Sequence, residues 1–448
     1  MRNKFRYYKN MQNLIQKFNN KNTRLVISDW PEKTKKGEKN YGIAWYTKEL
    51  YQSLAHDYNM RFVVLGEKGQ SNKPQLAAGG RILVLRVFDQ RHPTLFPRIL
   101  HWLSIFNKVK YVDIHSEFCT NGGIKNFMLL FPFMLLIKLA SKHITYYSHN
   151  VITSFDSIAP HLGYKKNSLL VKILNIGVIA FYKTLGILLD RFVVMDEAIY
   201  KRLSFFVSPN KIFLHPFWIE KKNTVSQKTA RTKINVAKND FILLYFGFIT
   251  YYKGADWIIK TVKKLRQQNQ FTRINLILAG GEAYSLKDKA YYKKFYAQVL
   301  ASAKDQKKIC ITGFVPENAI GIYFSASDLV VLPYRGLIGS SATLSQAITH
   351  KKPFVISRAM GEVLKNKDVE FAISKNNINE SEISFSHNIK SFANTILKAQ
   401  DKEILEKLTS VSCDLGIARS KDKLLESCYN QLYAMDQKST KVIAPALA

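Results

Sequence analysis

Short runs of β-branched and apolar residues recur along the chain, separated by segments of helix length, and this alternation limits the possible folds more than any other feature. From residue 24 onward the runs fall at 25–28, 61–65, 82–87, 111–114, 144–148, 192–195 and 212–215. Segments of helix length or loops, such as 43–56, lie between them. A polar stretch at 221–238 (KKNTVSQKTARTKINVAK) has neither helical nor strand periodicity and interrupts the series. The runs then restart at 242–246, 274–279, 309–312, 329–332 and 354–357, with helical segments that include 255–266 and 291–303. Such alternation builds parallel sheets covered by helices. The expected class is therefore α/β, with two Rossmann-like doubly wound domains facing across a cleft at their strand C-termini. A length of 448 residues suits two cores of roughly 200 residues each. The expected division is a basic extension (1–22), an N-terminal domain (23–220), a linker (221–238), a C-terminal domain (239–415), a helix that returns toward the first domain (416–436) and a tail (437–448). In that helix Leu424, Leu425, Cys428 and Leu432 share one face.

The formal net charge is +34, from 67 basic and 33 acidic residues. An excess of this size attracts polyanions: nucleic acid, anionic lipid or a phosphorylated substrate. The basic residues are spread along the chain and no helix-turn-helix, RNP-like or zinc motif occurs, so nucleic acid is not the expected partner. Cys119, Cys310, Cys413 and Cys428 form no Cys-x-x-Cys pair, which suits a reducing compartment. The first twenty residues lack the apolar core of a signal peptide, and the expected location is cytoplasmic. Two stretches are apolar. Residues 127–137 (FMLLFPFMLLI), flanked by Lys125 and Lys138, contain Pro132 and are too short to span a bilayer. They read as a buried helix or an interfacial one. Residues 169–189 are longer, and Lys172, Asn175 and Lys183 fall on one helix face, which fits a core or membrane-surface role better than a span. Together these stretches suggest a peripheral place on the inner face of an anionic membrane.

The second half carries the elements suited to phosphate. The tract 246–254 (FGFITYYKG) follows an expected strand and opens an expected helix. Gly247 permits a sharp turn and close backbone approach. Lys253 places a compact charge near a helix start, where free N–H groups already favour anions. Further along, Arg335 offers a bidentate phosphate contact, and Ser340 or Ser341 caps the helical segment 342–350. Gly280, Gly281 and Glu282 end one strand, and Gly313 and Phe314 follow another. Both turns lie on the sheet edge where α/β domains bind ligands.

In order and spacing, FGFITYYKG (246–254), LAGGE (278–282), ITGFVPENAIGIYFSASDLVVLPYR (311–335) and SSATLSQAITHKKPFVIS (340–357) resemble the family-4 glycosyltransferases, the large group-1 retaining class. The resemblance is strong over the second domain and weak over the first. It implies the GT-B fold, with a nucleotide-sugar donor in the C-terminal domain and a glycan or lipid-linked acceptor in the N-terminal domain. It also implies retention of configuration, no cofactor and no metal, in cell-envelope polysaccharide or glycoconjugate synthesis. No Asp-x-Asp motif occurs in the chain. By the same resemblance Lys253 and His149 serve catalysis, and Gly42, in the loop 40–44, faces the donor phosphates. Gly247, Thr250, Glu282, Gly313, Phe314, Arg335, Ser340, Ser341 and Gln346 complete the donor site. Three positions depart from the family: Thr250 stands in the place of an arginine, and Ile338 and Gln346 stand in the places of two glutamates. For an inverting reaction the candidate bases are His115 and Glu117. A sugar-nucleotide epimerase and a catalytically inactive nucleotide-binding protein are the alternatives on this fold.

Overall fold

The computed structural model describes residues 2–34, 37–39, 42–90, 92–116, 124–156, 159, 164–165, 167–219, 225–283, 286–434 and 436. The chain opens with helix α1 (Arg2–Phe18). Then come β1 (Thr23–Ile27), the strands β2 (Glu32–Thr34) and β3 (Gly37–Lys39), α2 (Gly42–Asp57), β4 (Arg61–Glu67), β5 (Gln75–Ala77), β6 (Ile82–Phe88), α3 (Leu95–Ile105) and β7 (Tyr111–Ser116). Helix α4 (Ile124–Leu139), β8 (His143–Ser148), α5 (Leu169–Leu188), β9 (Arg191–Val194), α6 (Glu197–Ser204) and β10 (Ile212–Leu214) complete the first half. Eight of these strands form one sheet in the order β10-β9-β8-β7-β1-β4-β6-β5, parallel except at β5. All seven expected runs of this half are strands of that sheet.

In the second half, α7 (Gln227–Lys233) and β11 (Phe241–Phe246) are followed by α8 (Ala255–Gln267), β12 (Ile274–Ala279), α9 (Ala290–Ala303), β13 (Ile309–Ile311), α10 (Glu317–Ala326) and β14 (Leu329–Leu332). Then come α11 (Ala342–Thr349), β15 (Phe354–Ser357), α12 (Lys367–Lys375), α13 (Glu380–Ile383), β16 (Ser384–Phe385), α14 (Ile389–Lys398), α15 (Lys402–Ala418) and α16 (Lys421–Cys428). Six parallel strands form the second sheet in the order β13-β12-β11-β14-β15-β16. Strand order reverses between β11 and β14 here, and between β1 and β7 in the first sheet. In doubly wound sheets such reversals open a crevice at the strand C-termini.

The polar stretch read as an irregular linker contains α7. Ser226 caps it by accepting from Thr229 N. Its inward side is Ala230 and Arg231, and the buried guanidinium of Arg231 pairs with Asp328 at 2.6 Å and donates to the carbonyls of Ala326 and Lys238. An arginine turned inward gives no apolar period for a sequence reading to detect. The N-terminal extension is likewise ordered, since Met11, Leu14, Ile15 and Phe18 pack on the first core.

The chain crosses between the two halves twice. Beyond α15 it returns to the first domain, where Leu425, Cys428, Leu432 and Tyr433 join a core with Trp30, Tyr46 and Tyr147. The two crossings touch, with Ile219 N donating to the Arg419 carbonyl at 2.7 Å.

Candidate active site

The loops after β11 and β14, on either side of the second-sheet reversal, hold Gly247, Thr250, Lys253, Arg335, Ser340 and Ser341 of the residues singled out from the sequence. After β11, Gly247 turns with φ of 107°, a conformation that disfavours any side chain. A Cβ at residue 280 would collide with the Gly247 carbonyl, so the loops after β11 and β12 lie backbone on backbone. Gly313 also has positive φ, and its neighbour Phe314 is exposed at the rim, as is Glu282.

Lys253 ends this first loop, and its side chain folds back over Gly247. A Cβ at residue 247 would lie 2.7 Å from Lys253 Nζ and 3.5 Å from Thr343 Oγ1. The ammonium sits 5.5 Å from the centre of the Tyr334 ring. Among the described residues it has no hydrogen bond and no ion pair. Thr343 Oγ1 donates to the Phe246 carbonyl at 2.9 Å, which ties the start of α11 to the end of β11. Ser341 caps α11, its Oγ accepting from Leu344 N at 3.2 Å. The ammonium and the free N–H groups of α11 therefore lie on one side of the crevice, an arrangement that attracts anions.

Several polar atoms around this crevice are buried without a hydrogen-bond partner: Thr250 Oγ1, Ser340 Oγ, Gln346 Oε1 and Asn150 Oδ1. Unpaired buried oxygens are rare and costly unless a ligand or water completes them. Asn150 belongs to the first domain and forms an isolated antiparallel bridge with Gly339. A Cβ at residue 339 would stand 2.5 Å from the His149 carbonyl oxygen. The His149 loop and the start of α11 thus meet across the domain boundary.

His149 is buried, and desolvation lowers its pKa to about 3, so the imidazole is neutral near pH 7. Its Nε2 lies 3.2 Å from His115 Nδ1, and His115 Nε2 lies 2.8 Å from the Tyr51 hydroxyl. Tyr51 also donates to Asp113 Oδ2 at 3.1 Å. With the Tyr51 hydroxyl proton directed at Asp113, His115 Nε2–H donates to Tyr51 and His149 Nε2–H donates to His115. This assignment leaves His149 Nδ1 as an acceptor. Behind Asp113 lie Arg24, at 2.7 Å, then Asp436, at 2.6 Å from Arg24, and Arg191, at 2.8 Å from Asp436. Burial and the neighbouring His149 hold the His115 pKa well below its usual value.

Several sequence expectations change here. Arg335 does not offer its fork to the crevice. Its terminal nitrogens pair with both carboxylate oxygens of Asp256 at 2.8 Å, one also donates to the Tyr251 carbonyl, and the guanidinium lies 4.1 Å from the Tyr251 ring centre. It staples the Lys253 loop to the loop after β14. Thr250 is buried and places no charge where the family has arginine. Ile338 packs against the first-domain core. His115 is enclosed in the Tyr51 and His149 contacts and does not stand free as a base. Glu117, Asn40 and Tyr41 lie outside the described residues, and Gly42 begins α2 with open space where a Cβ would be. Asn175 turns inward to the Phe155 N–H at 2.7 Å and to Asp156, away from the exposed Lys172 and Lys183.

A second feature escaped the sequence reading. At the first-sheet reversal a pocket opens between Ser28, Asp29, Gln90 and His115 and deepens among Ile99, Leu130 and Phe133. Asp29 Oδ2 accepts from Gln90 at 3.0 Å, whereas Oδ1 is buried and unpaired. Desolvation raises the Asp29 pKa. The signal in sequence was its place directly after the first strand.

The fold has counterparts among solved structures. A sucrose-phosphate synthase from Thermosynechococcus elongatus superposes with a TM-score of 0.67 at 13% identity, over 95% of this chain and 100% of that one. An α,α-trehalose 6-phosphate synthase from Burkholderia multivorans gives 0.62 at 10% identity, over 96% and 100%. The Anabaena protein HepE, solved in complex with UDP and glucose, gives 0.60 at 11% identity, over 92% and 99%. The chain has the GT-B fold. Its C-terminal half carries a sequence match as well, since residues 240–398 fit the family model described as Glycosyl transferases group 1. No curated protein matches the chain in sequence. In GT-B terms, the Lys253 crevice lies in the C-terminal domain and the Asp29 pocket in the N-terminal domain.

Proposed function

We propose that this GT-B protein is a metal-independent glycosyltransferase of the family-4 kind, which moves a sugar from a nucleoside diphosphate donor with retention. One observation carries the reading: the Lys253 ammonium, with no hydrogen bond or ion pair among the described residues, lies over Gly247 beside Thr343 at the start of α11. Loss of the leaving group builds negative charge on the outer phosphate. Lys253 and the α11 N–H groups stabilise that charge more in the transition state than in the ground state, which is what accelerates a reaction. HepE has been solved with UDP and with UDP-glucose, which supports a donor of that class. His149, neutral and held by His115, accepts from a donor-sugar hydroxyl through Nδ1. Gln346 takes a ribose hydroxyl, and Asp29 orients the acceptor hydroxyl at the mouth of its pocket. The acceptor is a glycan or a lipid-linked molecule at an anionic membrane surface. The enzyme works peripherally on the cytoplasmic side, in cell-envelope glycoconjugate synthesis.

The test is a thermal-shift panel of nucleoside diphosphates and their sugars, followed by measurement of nucleoside diphosphate release. A bound donor stabilises the folded state by mass action. Stabilisation by one donor together with release is expected, and no shift with any of them would overturn the reading. The buried neutral Thr250 and the apolar Ile338 favour one rival, a nucleotide-binding protein without turnover. A donor-induced shift with no release, with or without acceptor, would select it.

A further inference from the structure

Helix α4 is apolar on both sides. Leu130, Phe133, Met134 and Ile137 pack into the core, while Leu129, Leu135, Leu136 and Leu139 face outward, with Pro132 between them and Lys138 paired with Asp190 at 2.6 Å. Neighbouring α5 repeats the pattern. Its inner side holds Val178, Tyr182 and Leu185, and its outer side exposes Leu169, Ile173, Ile176 and Ile187 by 56–79%, with Lys172 and Lys183 on the same side. Only 28% of its most apolar window is buried. These two helices supply ten of the eighteen exposed large apolar side chains among the described residues, so the exposure is concentrated in one layer. Phe205, 80% exposed, extends the patch past the end of α5, where Val207 abuts Gly186. Helices apolar all round are found inside proteins or in contact with lipid. Surfaces of this kind mark an interaction site.

We propose that the α4–α5 face docks on an anionic lipid bilayer, with both helices lying in the plane of the interface. The proposal deepens the reading above and rests on it for the acceptor, not for the donor chemistry. Charge selects the occupant. Lys165, Lys172 and Lys183 are exposed in this segment, whereas Lys138 pairs with Asp190 and Lys142 is buried. A second copy of this chain, itself at +34, would meet like charge there. Protein interfaces concentrate aromatic residues and arginine at their centres, whereas this face is aliphatic. The inner side of α5 is core, so the helix lies on a bilayer and does not cross it. Docking in this way serves the site, because Leu130 and Phe133, on the inner side of α4, line the pocket that opens at Asp29. A lipid-linked acceptor would have its head group presented close to that pocket.

The test is co-sedimentation of the full chain, without donor, with vesicles of phosphatidylglycerol and phosphatidylcholine mixed in equal parts or of phosphatidylcholine alone. Binding to the anionic vesicles, weakened by salt, is expected. The double substitution Ile173→Asp and Ile176→Asp should lower it at least tenfold, and Lys172→Ser and Lys183→Ser by about fivefold each. The lysine variants change only exposed side chains, so they keep the test valid if the aspartate variant folds poorly. Wild-type protein that ignores anionic vesicles, or variants that bind as wild type does, would overturn the proposal. So would concentration-dependent self-association that Ile173→Asp abolishes in a protein indifferent to vesicles. Because no donor is present, loss of vesicle binding is read separately from any failure of the donor-induced thermal shift.

Discussion

Substituting Lys253 by alanine separates a catalytic role from a structural one, because the surroundings of its ammonium predict a large loss of turnover and a small loss of stability. The ammonium has no carboxylate or carbonyl partner among the described residues; its contact is the Tyr334 ring at 5.5 Å. A cation over an aromatic ring at a partly exposed site contributes about 0.5–1 kcal/mol. Unfolding free energy should therefore fall by about 1 kcal/mol or less. Against a phosphate the arithmetic differs. Two unit charges about 4 Å apart interact by about 4 kcal/mol at the effective dielectric of a protein surface. Removing one preorganised donor from a developing oxyanion typically costs about 3 kcal/mol. That corresponds to at least a hundredfold loss in rate. The assay is nucleoside diphosphate release under saturating donor, alongside urea unfolding monitored by fluorescence. Turnover within threefold of wild type would refute the electrostatic role. A stability loss above about 2 kcal/mol would show that the lysine holds the fold, and the rate effect would lose its meaning.

Other substitutions probe the frame. Asp436→Ala strips a carboxylate shared by Arg24 and Arg191, both on the first sheet, and should cost about 3 kcal/mol, since it leaves buried positive charge under-compensated; unfolding within 1 kcal/mol of wild type would contradict the network. Gly280→Ala pushes a methyl into the Gly247 carbonyl and should lower donor affinity at least tenfold by displacing the Lys253 loop, as read by calorimetry with the donor. Burial lowers the pKa of His149 to about 3 and that of His215 to about 4. Between those values and 6.5 the unfolded chain binds more protons than the folded one, so stability should fall as pH drops from 7 to 5, by about 1–2 kcal/mol per histidine. His215→Leu should flatten that slope in pH-dependent denaturant melts, and an unchanged slope would place the dependence elsewhere.

Many of the parallel strands were easy to read because they are buried and run apolar in sequence, as β11 and β14 do, although β7 carries Asp113 and His115. The short β5 and β16 leave no such trace, whereas β10 and β13, of three residues each, do. The Lys253 crevice was legible where a glycine or a helix cap is required, as at Gly247 and Ser341. It was illegible where a side chain chooses between partners. Arg335 is as well placed in sequence for a phosphate as for a protein carboxylate, and only the fold brings Asp256, 79 residues away, to both of its nitrogens. The network beneath His149 joins residues up to 412 positions apart, so no local pattern encodes it. Ile338 packs against the apolar core of the other domain, a contact that no local pattern shows.

The return of residues 425–436 to the first domain bears on the order in which the protein can be made. Domains usually fold as they leave the ribosome, the earlier before the later. Here Leu432, Tyr433 and Asp436 belong to the first domain but are synthesised only after the whole C-terminal domain. Until they arrive, Arg24 has only one of its two carboxylates, and one side of the first sheet lacks its cover. The nascent first domain must wait, partly open, while its partner is translated, and its final closure also ties the two halves together.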